Sequence, residues 1–341
     1  MHTYRGKSAA CLICVFALAV TGCSAGSGGT ADAAPATPSR AGASPSKSAS
    51  PGTSYAPYVS ATGASANDSA GSPATYNLAF VIADGNDCTP KWNGTTALSD
   101  AAVKSRVSRL TQGGASVRVS FGGASGEELA ASCDSASELA RAYGKALDAA
   151  GSSQADFDIE GEGLTDSDSV DLRSEAIALL QKERDDLEVS FTLPVMPTGL
   201  DDGGVALLES ANEHDVQVST VNIMTMNYGE SYDGDMGDYA LTSAKATHSQ
   251  LKEIFGTSDA TAWKAMALTS MLGKNDVDNE TFTLDDAAQV RKFADEKGIG
   301  WVSMWATFRD QQCGADSDDD ELTQCSGVDQ ESGAFGEAFS G

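Results

Sequence analysis

The stretch Ala155-Asp156-Phe157-Asp158-Ile159-Glu160-Gly161 alternates acidic and apolar side chains. Successive residues of a β-strand point to opposite faces, so Asp156, Asp158 and Glu160 share one face and Phe157 and Ile159 pack on the other. In a barrel the acidic face points inward, with Glu160 nearest the C-terminal rim, where barrel enzymes place their chemistry. Three carboxylates so close cannot all ionise freely, so at least one holds its proton to higher pH, and their titrations are coupled. The alternatives for such a ladder are a divalent-cation cluster or a chance acidic strand.

The pattern on either side of this strand repeats. Runs rich in β-branched residues predict strands at 55–59, 76–83, 115–121, 155–159, 187–193, 217–226, 264–271 and 300–306. Amphipathic segments predict helices at 99–110, 136–149, 172–183, 205–213, 239–255 and 284–297. Strand–helix alternation argues an α/β fold with a parallel sheet and right-handed crossovers. Eight strands favour a (β/α)8 TIM barrel, and the absence of Gly-x-Gly-x-x-Gly after an early strand disfavours a dinucleotide fold. The first crossover, 60–75, is Ser-, Ala- and Gly-rich and shows no helix.

The chain has 341 residues, a hydrophobic content of 41% and a formal net charge of −27. Such a surface repels nucleic acid and anionic lipid but tolerates a neutral polymer. The N-terminus reads as an address. His2, Arg5 and Lys7 precede an apolar run at 9–20, which is shorter than the roughly 20 residues a bilayer span needs. It ends in Val20-Thr21-Gly22-Cys23, which resembles a bacterial lipobox with Cys23 as the lipidated residue. Residues 1–22 are therefore expected to be a lipoprotein signal peptide. Residues 23–53, poor in bulky side chains, form a disordered tether, and 54–341 form the barrel. The expected location is extracytoplasmic, anchored by lipid to the outer face of a bacterial cell membrane, with release from the anchor left open.

Beyond the lipidated Cys23, Cys88, Cys133, Cys313 and Cys325 remain after the signal. An even number outside the cytoplasm suggests two disulfides, and the neighbouring predicted strands pair Cys88 with Cys133 and Cys313 with Cys325. A metal site is not expected: there is no Cys-x-x-Cys beyond the signal peptide, and His214 and His248 lie far from any cysteine. The run Asp316, Asp318, Asp319, Asp320, Glu321 lacks the spacing of a calcium loop. Asn93-Gly94-Thr95 matches a glycosylation sequon but is read as a turn.

The ladder resembles the core of the Asp-x-x-Asp-x-Asp-x-Glu signature of glycoside hydrolase family 18. Ser120-Phe121-Gly122-Gly123 is similar to that family's Ser-x-Gly-Gly element on the third strand. Met224-Thr225-Met226-Asn227-Tyr228 is similar to its Met-x-Tyr element on the sixth, and Trp305, followed by Arg309-Asp310, to the tryptophan that floors the sugar site. The likeness runs from about Tyr55 to the C-terminus and is nearest to single-barrel bacterial chitinases. It departs at Ser153, where the signature's first Asp is expected deep in the barrel, at Asn227, and at Gly229.

The resemblance implies a chitinase that hydrolyses β-1,4 bonds between N-acetylglucosamine residues of chitin or its oligomers. Catalysis would be retaining and substrate-assisted, one of the exceptions to the two-carboxylate scheme. Glu160 would be the acid, Asp158 would stabilise the charged acetamido group, Asp156 would tune Asp158 from below, and Tyr228 would hold the acetamido oxygen. Trp305, Met226, Asn227, Arg309 and Trp92 would bind sugar, although a tryptophan in a strand can equally pack in the core. The Gly122-Gly123 pair would allow close backbone approach. No cofactor is implied, and a monomer is expected. The same residues would serve an endo-β-N-acetylglucosaminidase acting on N-glycans. A non-catalytic chitin-binding lectin is the other alternative, although members that lose activity usually lose the residue equivalent to Glu160.

Overall fold

A computed structural model describes residues 52–314 and 322–341. The signal peptide, Cys23, nearly all of the tether and the acidic run from Asp316 to Glu321 lie outside the described residues.

The strands in chain order are β1 (Ser54–Tyr55), β2 (Tyr58–Ser60), β3 (Thr75–Asp84), β4 (Asp87–Trp92), β5 (Thr96–Ala97), β6 (Ser116–Gly122), β7 (Gln154–Asp158), β8 (Glu188–Pro194), β9 (Val218–Met224), β10 (Met266–Met271), β11 (Gly273–Lys274), β12 (Thr281–Phe282) and β13 (Trp301–Trp305). The helices are α1 (Ala101–Thr111), α2 (Leu129–Ser132), α3 (Ala136–Ala150), α4 (Glu162–Thr165), α5 (Ser167–Glu183), α6 (Asp202–Glu213), α7 (Met236–Phe255), α8 (Asp259–Lys264), α9 (Leu284–Lys297) and α10 (Ala334–Ser340). Each predicted strand and helix is present, with bounds moved by a few residues.

β3, β6, β7, β8, β9, β10 and β13 pair in that order, all parallel. The first segment bonds on two sides. β1 pairs with β13, Ser54 opposite Trp301, and β2 pairs with β3, Tyr58 opposite Asn77. Pro57 lies between them and lacks an N–H, but its carbonyl accepts from Asn77 N at 2.9 Å. The sequence pattern did not anticipate two hairpins, antiparallel β4–β5 after β3 and antiparallel β11–β12 after β10.

Strands covered on both faces read as nearly continuous apolar runs; all six residues of β10 are buried. The helical side of β6, β7 and β8 presents Phe121, Phe157 and Phe191, with neighbouring rings 5.3 and 5.7 Å apart, and Tyr143 of α3 sits 4.9 Å from Phe157. Burial of each such ring contributes roughly 1.5–3 kcal/mol. Helix ends follow local chemistry. In α9, Thr283 and Asp286 form a capping box, and Gly298 closes the helix at φ 73°. The first crossover has no helix, as expected. Asp68 fixes it instead, accepting from Arg106 Nη1 at 2.8 Å and Thr307 Oγ1 at 2.7 Å.

Cys88 is bonded to Cys133 and Cys313 to Cys325. The first bridge ties β4 to the end of α2, and the second closes the loop after β13. Asn93 and Gly94 form the turn between β4 and β5, with positive φ at both.

Gly122 ends β6 at φ 94°, and a Cβ there would collide with the backbone carbonyl of Asp158 on the neighbouring strand. Gly122→Ala is expected to cost on the order of 1–3 kcal/mol or more, since neither the backbone angle nor the β7 carbonyl can relax alone. A fall of several degrees in the thermal unfolding midpoint, read by circular dichroism, checks this; an unchanged midpoint contradicts it.

Candidate active site

The ladder sits where its alternation requires, on the inner face of β7 and its continuation. Asp156 is fully buried. Its Oδ2 accepts from Ser120 Oγ at 2.6 Å and Tyr58 Oη at 2.9 Å; its Oδ1 accepts from Ser190 Oγ at 2.7 Å and Thr192 Oγ1 at 2.8 Å. The network continues outward, Asn222 Nδ2 donating to Thr192 Oγ1 and Thr269 Oγ1 donating to Asn222 Oδ1, each at 2.9 Å.

One step up, Asp158 is 5% exposed, and its Oδ1 has no hydrogen-bond partner among the described residues. Burial, then the charges of Glu160 and Asp156, push its carboxyl well above the usual range. Glu160 lies above the end of the strand, half-buried. Burial, and after it the charge of Asp276, raise its carboxyl to about 6. Asp158 and Glu160 line one cleft of about 500 Å³ at the C-terminal ends of the strands. One wall is aromatic: Phe80 stacks on Trp305 with centroids 5.5 Å apart, and Tyr58 meets the edge of Trp305 at 5.7 Å. Met224, Met226 and Asn227 line the other side, and past Glu160 the cleft continues along Met196 and Asp201. An apolar wall with a few convergent polar groups is the make-up of a ligand site. Among the described residues, no group of three or more His, Cys, Asp or Glu side chains could hold a metal ion.

Trp305, Met226 and Asn227 are therefore brought to the cleft with the ladder. Four expectations are corrected. Tyr228 is 4% exposed and faces away: its hydroxyl lies 3.5 Å from Ser243 Oγ of α7, and its ring packs by Tyr232 and Tyr239. Asn227 adopts φ 54°, which turns the chain after Met226 and sends the next side chain outward. Trp92 is 1% exposed, tucked into the core because β4 doubles back along β3. Arg309 is also buried. Its guanidinium donates to the carbonyls of Leu272, Lys274 and Leu322, so it braces loops and does not face the cleft. Ser153 precedes β7 and is exposed, not deep in the interior.

The sequence reading missed Phe80, Asn93 and Asp276. Asn93 Oδ1 accepts from Phe80 N at 3.2 Å, so the sequon-like turn holds the aromatic wall. Asp276 comes from the loop between β11 and β12, and nothing in its local sequence marks it. The Gly122-Gly123 pair serves packing: Gly123 leaves room for the ring of Phe80.

No protein-family model matches the chain. It is 35% identical over 275 residues to a probable bifunctional chitinase/lysozyme of Escherichia coli (strain K12), covering 75% of this chain and 31% of that protein. It is 33% identical over 274 residues to Endochitinase 11 of Metarhizium anisopliae, covering 75% of this chain and 52% of that one. The chain thus spans only 31% and 52% of the length of these two curated relatives. Among solved structures, active domain 2 of the chitinase from Pyrococcus furiosus superposes with a TM-score of 0.75 at 30% identity, over 85% of this chain and 94% of that one. The same domain has been solved complexed with chito-oligosaccharides. A GH18 chitinase from Pseudoalteromonas aurantia shares the fold, with a TM-score of 0.55 at 15% identity over 74% of this chain and 94% of that one. With active domain 2 of the Pyrococcus furiosus chitinase 30% identical and covered over 94% of its length, and with the carboxylate ladder set in a cleft, the chain belongs to the chitinase family, glycoside hydrolase family 18.

Proposed function

We propose that the protein is a chitinase that hydrolyses β-1,4 bonds between N-acetylglucosamine residues by a retaining, substrate-assisted mechanism. The observation that carries this reading is the gradient along β7, from fully buried Asp156 through nearly buried Asp158 to Glu160, whose carboxyl is raised to about 6. A carboxylic acid that keeps its proton near neutrality is what glycosidic cleavage requires. Glu160 gives that proton to the glycosidic oxygen as the C1–O bond breaks. The acetamido oxygen of the same sugar bonds to C1 from the opposite face, forming an oxazolinium ring. Asp158, which lines the cleft, accepts the acetamido N–H and stabilises the positive charge as it develops. Asp156, held by four hydroxyls, fixes Asp158 from below. Water then attacks C1 as the bond from C1 to the acetamido oxygen breaks, Glu160 takes the water's proton, and the configuration is retained. Trp305 and Phe80 offer stacking faces to a pyranose.

The proposal includes closure of the sheet into a (β/α)8 barrel. Its support is the segment 54–60, bonded to β13 at one end and to β3 at the other. It also includes a lipid anchor at Cys23 and an extracytoplasmic location, supported by Val20-Thr21-Gly22-Cys23 and the tether composition. Cys23→Ala is expected to move the protein from the membrane fraction to the medium. A wild-type protein wholly in the medium with an unmodified N-terminus contradicts the anchor.

Glu160→Gln is expected to lower turnover of a chitotriose reporter by about 10²–10⁴-fold while binding of chitin oligomers survives, since the transferable proton is lost and the shape kept. Asp158→Asn is expected to be severe as well, and Asp156→Asn milder. Near-wild-type turnover by folded Glu160→Gln refutes the mechanism. The pH profile follows from the same group. Glu160 acts in its protonated form, so kcat/KM falls as pH rises through about 6. An alkaline limb far above that pH in the wild type contradicts the assignment.

A further inference from the structure

Three carboxylates line the part of the cleft beside the aromatic wall, and the third is not on the ladder. Asp158 and Glu160 belong to β7 and its continuation, whereas Asp276 enters from the loop joining β11 to β12. Loop carboxylates are normally free to swing into solvent, but this one is held. Asn227 Nδ2 donates to Asp276 Oδ2 at 3.0 Å, and Asp276 N donates back to Asn227 Oδ1 at 3.0 Å. Behind this pair lies Glu280, fully buried; its Oε1 accepts from Gly229 N at 2.8 Å. Asn279 Nδ2 donates to Tyr232 O at 2.8 Å and Glu230 O at 3.3 Å. Arg309 grips the base of the same loop through Leu272 O at 2.9 Å and Lys274 O at 2.6 Å.

Two loops from different strands are thus stapled together at the point where one presents a carboxylate to the cleft. A buried carboxyl spent on one backbone amide of that turn is costly unless the geometry it holds matters. What it holds is the left-handed turn at Asn227, and through it Asp276.

We infer that Asp276 is a positioning residue of this site, held by Asn227 and buried Glu280 so that its charge stands across the cleft from Glu160. The inference rests on Glu160 being the acid, as proposed above. The direction follows from Coulomb's law: a fixed negative charge opposes the ionisation of Glu160, and it is the charge that acts on Glu160 after burial. The other titratable groups lining the cleft beside Glu160 are Asp158 of β7, Asp201 at the start of α6 and Tyr58 of β2. None of them lies on the β11–β12 loop. Arg309 is the cation behind that loop. Its guanidinium is lowered to about 10, chiefly by burial and against the opposing pull of Asp276, so it stays charged across the working pH range.

The test is kcat/KM against pH on a chitotriose reporter, for the wild type, Asp276→Asn, Asp276→Glu and Glu160→Gln, with thermal midpoints measured alongside. Asp276→Asn keeps an acceptor for Asn227 and removes the charge. Its alkaline limb is expected at lower pH than in the wild type, so that rates above the limb fall about 2–10-fold while the acid-side plateau and KM stay within about two-fold. Asp276→Glu restores the limb. Raising salt to about 1 M, where the screening length is about 3 Å, moves the wild-type limb further than that of Asp276→Asn. If Asp276→Asn does not fold, Asp276→Ala provides the same charge-free comparison. An unmoved limb, or a uniform loss at every pH with a raised KM, overturns the inference and makes Asp276 a sugar contact or a structural residue. Glu160→Gln separates the two readings. If it is inactive while the limb of Asp276→Asn is unmoved, only this inference falls; if it turns over like the wild type, the acid assignment falls first.

Discussion

A carboxyl group with no access to water must be satisfied completely, and Asp156 is the point where this protein meets that demand. Four hydroxyls reach it, from Tyr58 of β2, Ser120 of β6, and Ser190 and Thr192 of β8. Asn222 of β9 and Thr269 of β10 extend the network. One polar layer therefore touches six strands. A one-residue slip in any of them would carry its hydroxyl to the helical face and leave a buried acceptor short of a partner, at about 1–3 kcal/mol for each lost bond. The register of the sheet and the placement of the ladder are the same problem, solved by the same side chains.

What lies above that layer follows from distance to solvent. The three acidic residues differ little chemically, yet β7 carries them from a saturated interior, through a nearly buried position with an unpartnered oxygen, to the half-exposed end of the cleft. Environment assigns them different capacities: one only accepts hydrogen bonds, one keeps an oxygen without a hydrogen bond, and one exchanges protons near pH 6. The aromatic wall assists by keeping water from one side. Phe80 and Trp305 come from opposite ends of the chain and are held edge and face by Tyr58, whose hydroxyl belongs to the Asp156 layer. The cleft wall and the buried hub thus share a residue.

The loops do the rest. The second hairpin, β11–β12, is too short to have a core of its own; Phe282 plugs it into the main core, Arg309 holds its base, and hydrogen bonds join its loop to the turn after β9. The exchanged pair between Asn227 and Asp276 and the buried Glu280 make the two loops one rigid edge. Asn227, read as a departure from the family pattern, supplies the amide that this pairing needs: an aspartate there could accept from Asp276 N but could not donate to Asp276 Oδ2.

Much of this was legible in the chain itself, because the signals are periodic. Alternation along 155–161 placed three carboxylates on one face, and eight β-branched runs separated by amphipathic segments required a parallel sheet. The two disulfides followed from the order of the strands. Periodicity ends where strands end, and there the reading failed. Tyr228 was expected to face the cleft, but the positive φ of Asn227 reverses the chain one residue earlier. Trp92 was expected to meet sugar, but a hairpin with no helical or strand-long period folds it inward. Asp276 carried no mark at all, since its part in the site depends on a hydrogen bond to a residue 49 positions away. The sequence by itself determined which side chains share a strand face, since that is a matter of backbone geometry between neighbours. Only the tertiary structure decided which loops meet across the strand ends, since those contacts join residues far apart in the chain and leave no local pattern.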